Sequence, residues 1–117
     1  MLRRVLKSKI HRVTVTEADV NYEGSVTIDS ALMDAADILP WEEVFLWNVT
    51  NGERLTTYAI PAPPHSGTIC INGAGAHKAR KGDVIIIATY TSMEDADLKH
   101  YEPRKVFVDA QNRKSVS

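Results

Sequence analysis

The apolar residues of this chain come in short runs, each closed within a few residues by a turn signal, and that spacing favours many strands over long helices. Val5, Ile10, Val13 and Val15 alternate with polar residues and predict one long strand. A turn over Asn21-Tyr22-Glu23-Gly24 then leads into a short strand from Ser25 to Ile28. Asp29 or Ser30 can cap a short helix, because either side chain accepts from the free N–H groups of a first turn. Leu32, Ala35, Ala36 and Leu39 supply its apolar face, and Pro40 is expected to stop it. Val44 to Val49 and Leu55 to Ile60 read as strands joined by Asn51-Gly52, both of which tolerate positive φ.

Pro61, Pro63 and Pro64 are expected to break any continuation. Gly67 to Ile71 is a further strand, followed by the glycine-rich turn Asn72-Gly73-Ala74-Gly75-Ala76 and a short helix around Ala76 to Ala79. The turn Lys81-Gly82-Asp83 precedes Val84-Ile85-Ile86-Ile87, a continuous β-branched run suited to a buried strand. Met93 to Leu98 suggests a helical turn or two, Val106 to Val108 a last strand, and residues 111–117 a frayed polar tail. Short strands with a few small helices point to a closed β-barrel, which removes exposed strand edges.

With 117 residues the chain is one domain, and its 44% hydrophobic and 25% charged content is close to the soluble average. A net charge of -1 argues against a nucleic-acid binder. The basic residues near the N-terminus, Arg3, Arg4, Lys7, Lys9 and Arg12, read as solvated strand charges. One cysteine, Cys70, permits no intrachain disulfide, and its apolar run suggests a buried, inert thiol. No apolar stretch reaches membrane-spanning length and no signal-peptide core follows the first basic residues, so a cytoplasmic protein is expected. His11, His65, His77 and His100 are scattered and show no zinc spacing, so no metal is expected.

The pair Gly24-Ser25 is by itself an ordinary turn. Its chemical alternative has the Ser25 hydroxyl attack the Gly24 carbonyl, helped by a strained backbone at the glycine. Three stretches around and beyond it resemble the pyruvoyl-dependent aspartate 1-decarboxylases. The first is Lys9-Ile10-His11-Arg12 with Tyr22-Glu23-Gly24-Ser25 and Ile28-Asp29. The second is Asn48-Val49-Thr50-Asn51-Gly52 with Arg54 and Thr57-Tyr58-Ala59-Ile60. The third is Asn72-Gly73-Ala74-Gly75-Ala76-His77 with Gly82-Asp83. They fall in the family's order, and the similarity runs from Met1 to about Asp109.

The resemblance implies a six-stranded double-psi β-barrel and a homotetramer with active sites at subunit interfaces. It implies cleavage between Gly24 and Ser25 into residues 1–24 and 25–117, with Ser25 converted to a pyruvoyl group that takes L-aspartate as a Schiff base. The product is β-alanine, for pantothenate synthesis, without pyridoxal phosphate. Maturation is compatible with spontaneous cleavage or with a helper protein.

The resemblance also assigns roles. Arg54 holds the substrate carboxylate and Lys9 is a second cationic contact, where the plain alternatives are a hairpin arginine and an exposed strand lysine. Tyr58 is the proton donor and Thr57 supports cleavage by donating to the Gly24 carbonyl while also touching substrate; otherwise both are ordinary strand residues. Asn72 lines the site, and backbone N–H groups at Gly73, Ala74 and Gly75 meet a carboxylate. His11, Tyr22 and Trp47 line or support it. Gly75 stands where the family more often has alanine, which could loosen the loop. The alternatives are the same chemistry on another acidic amino acid, or a non-catalytic barrel used for recognition.

Overall fold

In the computed structural model, which describes residues 1–116, alternation sets the strands and one sheet gathers them. Strands β1 (Leu2–Thr14), β2 (Glu17–Asp19) and β3 (Ser25–Asp29) precede a single helix, α1 (Ser30–Ala35). Strands β4 (Glu43–Asn48), β5 (Arg54–Ala62), β6 (Ile69–Asn72), β7 (Val84–Glu94), β8 (Arg104–Val108) and β9 (Lys114–Ser115) complete the set. Two 3-10 helices, Gly73–His77 and Asp95–Leu98, follow β6 and β7.

The nine strands form a mainly β architecture in the order β2-β6-β3-β5-β4-β7-β1-β8-β9. That order must curl. From Thr14, ending β1, to Glu17, starting β2, the chain takes three steps and reaches at most about 11 Å. It is pinned on the way, with Val15 N–H donating to Asp83 O and Thr16 N–H to Ile69 O, both at 2.8 Å. The strand at one edge is therefore tied to a strand deep in the other half, as in a small barrel. Among the described residues the sheet counts nine strands, the very short β2 and β9 included.

The core is aliphatic. Val44 and Leu46 of β4, Ile85 and Ile87 of β7, and Ile69 and Ile71 of β6 are buried with Ile10, Val26, Ile28 and Leu32. Each such side chain stabilises the fold by about 1.5–3 kcal/mol relative to exposure. Asp29 caps α1 by accepting from Ala31 N–H at 2.9 Å, and also accepts from His65 and Gly67 N–H, tying the helix start to the following loop.

Several expectations are corrected. The helix ends well before Pro40, where Asp37 takes φ 56° and Ile38 N–H returns to Met33 O at 2.8 Å, a Schellman close. Leu39 thus lies beyond the helix and 66% exposed instead of on its apolar face. Pro61 does not end its strand: it sits in β5 opposite Ile28 of β3, past the last residue of β5 paired to β4, where no N–H is needed. Nor is the tail frayed throughout. Asn112 is buried and donates to Thr14 O and Gly67 O, and β9 pairs with β8. Ser117 lies outside the described residues. The helix expected around Ala76 to Ala79 is the 3-10 helix Gly73–His77. Of the N-terminal cations, Lys7 is half-buried and bonds Glu42 at 2.6 Å, so it is not simply solvated.

Candidate active site

Two strands build the centre of the site. β3 and β6 are antiparallel, with Ser25 opposite Asn72 and Thr27 opposite Cys70. Residues two apart on a strand share a face, so all four side chains converge on one side. Ser25 is 1% exposed. Its hydroxyl donates to Glu23 O at 3.3 Å and accepts from Asn72 Nδ2 at 3.0 Å. The same Nδ2 donates to Thr27 Oγ1 at 3.0 Å, while Asn72 Oδ1 accepts from Cys70 Sγ at 3.1 Å. Beside this network is a cavity of about 150 Å³, lined by Gly24, Ser25, Leu55, Thr56, Thr57, Asn72, Ala74 and Gly75.

The glycines around it do different work. Gly73 takes φ 73°, and a Cβ there would stand 2.6 Å from Gly24 Cα and 2.7 Å from Gly24 N. Only glycine lets the turn after β6 press against the Gly24 backbone. Gly24 itself lies outside the left-handed region, and a Cβ on it would meet nothing within 4 Å. The strain expected at Gly24 is thus absent; the conformational demand falls on its neighbour. At Gly75 a Cβ would stand 2.8 Å from Leu55 Cδ1, so Leu55 fills the space that a larger residue would take.

Thr57 reaches this cavity, but among the described residues its expected bond to the Gly24 carbonyl is not formed. Tyr58, next in β5, is instead stacked on Trp41 with centroids 5.6 Å apart. Lys9, Trp47 and Arg54 also lie off the cavity, on the outward face of the β1-β7-β4-β5 sheet. Cross-strand register puts Lys9 with Ala88 and Phe45, and Trp47 with Ile86 and Arg54. The Arg54 guanidinium lies 5.1 Å over the Trp47 ring. Lining that spot are Trp47, Asn48, Val49, Gly52, Glu53, Arg54 and Ile86. His11 packs edge-on to Phe107 at 5.8 Å, and its Nδ1 is buried without a partner among the described residues. Burial first, then Lys9 and Arg12, lower its pKa and favour the neutral ring. Tyr22 is 60% exposed, although its carbonyl belongs to the wall against Gly73.

Cys70 is less buried than its sequence context suggests. It is half-buried, and its sulfur donates to the Asn72 amide. Burial, then Glu17 and Asp19, raise its pKa and keep it protonated. Sequence reasoning missed Thr27, Cys70, Leu55 and the Glu23 carbonyl as site residues. Alternation from Ser25 and from Asn72 places Thr27 and Cys70 on the right face, but only the strand register sets the pairs opposite each other.

The sequence that builds this site, a buried serine after glycine with an amide on its oxygen, matches a known family over nearly its whole length. A model of the aspartate decarboxylase family fits residues 1–115. The chain belongs to that family. It is 55% identical over 113 residues to the aspartate 1-decarboxylase of Syntrophus aciditrophicus, covering 97% of each chain. It is 58% identical over 112 residues to that of Syntrophotalea carbinolica, covering 96% of this chain and 86% of the relative. The Chromobacterium violaceum enzyme is 56% identical over 113 residues, covering 97% of this chain and 90% of its own length. Among the described residues, no helix is long and apolar enough to cross a membrane, and no three His, Cys, Asp or Glu side chains gather as a metal site.

Proposed function

We propose that this chain converts L-aspartate to β-alanine and carbon dioxide through a pyruvoyl group that it makes from its own Ser25, in the cytoplasm and for pantothenate synthesis. The observation that carries the reading is the Ser25 hydroxyl, buried, held between Glu23 O and Asn72 Nδ2, and facing a small cavity directly after Gly24. Membership of the decarboxylase family supports it. A double-psi connectivity and a homotetramer are parts of the same reading.

Self-cleavage comes first. Ser25 Oγ adds to the Gly24 carbonyl carbon, the Gly24–Ser25 C–N bond breaks, and the freed amine takes the hydroxyl proton, leaving an ester. Loss of the Cα proton of residue 25 then expels the Gly24 carboxylate, and one water releases ammonia and leaves a ketone at the head of residues 25–117. Asn72 donates to the attacking oxygen, and Thr57 is the assigned donor to the Gly24 carbonyl once it rotates toward it. The cavity fits such a group, since what remains of residue 25 is smaller than the serine and stays beside Asn72. When formed, the ketone supplies an electron sink for carboxylate loss from a bound amine.

The chain's other residues bind and protonate. Arg54 presents a planar fork to the substrate carboxylate, and Lys9 adds a second positive charge. Tyr58 delivers the proton to the α-carbon, a task suited to a phenol that holds its proton at neutral pH. Lys9, Trp47, Arg54 and Tyr58 stand off the cavity of their own chain, so in this reading they serve the cavity of a neighbouring copy in the assembly. Residues 73–75 offer backbone N–H groups toward a second carboxylate.

Denaturing mass spectrometry of aged protein tests the reading. Two chains, 1–24 and 25–117, should appear, the larger with a blocked N-terminus, and aspartate should yield β-alanine in proportion to the cleaved fraction. A single whole chain after prolonged warming counts against self-cleavage; turnover of glutamate in preference to aspartate counts against the substrate.

A further inference from the structure

We propose that Thr27 and Cys70 are positioning residues for self-cleavage: Cys70 fixes the direction of the Asn72 carboxamide and Thr27 holds its second hydrogen, so that the other stays on Ser25 Oγ. The inference rests on the self-cleavage reading above and deepens it by assigning two side chains that do not themselves bond to Ser25.

An amide on a nearly buried asparagine has two orientations differing by a half turn. Here both hydrogens of Asn72 Nδ2 are used, on Ser25 Oγ and Thr27 Oγ1 at 3.0 Å each, and Oδ1 takes the thiol hydrogen of Cys70 at 3.1 Å. Turning the amide over would aim Nδ2 at sulfur, a weak acceptor, and forfeit the bond from the thiol. It would also aim Oδ1 at Ser25, which would then donate its proton to Asn72 instead of receiving an N–H. Loss of the hydroxyl proton leaves negative charge on Oγ before attack passes that charge to the Gly24 carbonyl oxygen; an N–H already aimed at Oγ stabilises the alkoxide and eases that proton loss, whereas a carbonyl oxygen opposes it. The register Ser25 to Asn72 and Thr27 to Cys70 makes the set a closed square on one face of β3 and β6. The raised thiol pKa keeps the sulfur a donor at neutral pH.

The test follows cleavage of freshly made full-length precursor by denaturing mass spectrometry at fixed temperature. Thr27→Val removes the acceptor and keeps the shape; Cys70→Ala removes the donor. Each should slow cleavage about ten-fold, the rate equivalent of one net hydrogen bond. Thr27→Ser and Cys70→Ser restore an acceptor and a donor, and should cleave near the parent rate. Thermal midpoints are measured alongside, because a packing role would make the rate follow the midpoint and would not be rescued by serine. Thr27→Ala and Cys70→Val lose the same groups with different packing and should show the same slowing, which covers a variant that fails to fold. Parent-like cleavage in the folded Val and Ala variants, or equal slowing in their serine counterparts, overturns this inference alone. A parent that stays whole overturns the self-cleavage reading and this inference with it.

Discussion

The cavity beside Ser25 and the outward face carrying Arg54 meet on β5 but differ in how complete they are. At Ser25 each polar atom of the Asn72 amide is engaged within one chain, and the serine is almost inaccessible. On the outward face Lys9, Trp47 and Arg54 are held by little more than register and a cation–π contact. Strand alternation explains the division. Leu55 and Thr57 of β5 turn toward the cavity side, and Arg54 and Tyr58 turn away. In the proposed reading, cleavage draws on groups of one chain, and the chemistry on a free substrate draws on the outward face of a neighbouring copy.

That comparison breaks if the two regions fail to separate on mutation. The largest effect is expected from Ser25→Ala, which should remain a whole chain indefinitely by mass spectrometry, since the nucleophile is gone. Arg54→Ala should cleave normally yet lose turnover by about 2–5 kcal/mol in kcat/KM, the common cost of removing one partner of a desolvated charge pair. Arg54→Lys should recover only part of it. Normal kinetics in fully cleaved Arg54→Ala would detach the outward face from the site.

Neighbouring residues of β5 sharpen the division further. Thr57→Val should slow cleavage by about 10²–10³ if it supplies the carbonyl donor, whereas Tyr58→Phe should cleave normally and lose about 10²–10⁴ in turnover per cleaved chain. Equal behaviour of the two would erase the distinction between the faces. The glycines give a smaller, structural contrast. Gly73→Ala should lower the thermal midpoint, since φ 73° alone costs a side chain about 1–2 kcal/mol and the Gly24 backbone blocks the new Cβ. Gly24→Ala, with open space and no left-handed φ, should leave the midpoint near the parent value. Gly75→Ala needs Leu55 Cδ1 and, by less, Ile71 Cγ2 to give way, and should lower the midpoint less than Gly73→Ala.

The smallest effect concerns pH. The lowered pKa of His11, caused first by burial, means that the folded protein binds this proton less readily than the unfolded chain. The stability it contributes is therefore whole above the ordinary histidine value of about 6.5 and is lost as pH falls below it toward the folded value. His11→Gln should show a shallower fall in thermal midpoint than the parent between neutral and mildly acidic pH. Asp83 is also lowered, chiefly by the Arg80 backbone N–H and Asn48, but its window lies below the carboxylate value of 3.8 and does not overlap.

Much of this molecule was legible beforehand where a signal is local. The β-branched run at residues 84–87, the cap at Asp29, the turn at Asn51-Gly52 and the motif Gly24-Ser25 each announce themselves within a few residues, and each stands where expected. The failures share a cause. Pro61 reads as a breaker until β5 is known to run on beside β3 after leaving β4. Cys70 gives no sign of its bond to Asn72 until that side chain is seen to turn its oxygen toward it. Asn112 reads as tail until Thr14 and Gly67 offer their carbonyls.

The amino-acid order by itself determined which residues alternate, where turns form and which side chains can do chemistry, because those depend on backbone sterics and functional groups carried by near neighbours. It also carried the family blocks. Only the tertiary structure decided that Ser25 lies opposite Asn72, that Gly73 and not Gly24 must be free of a side chain, and that Arg54 looks away from the cavity. Those are matters of register and close approach between segments up to 49 positions apart, and a one-residue slip in register would turn every such side chain to the other face.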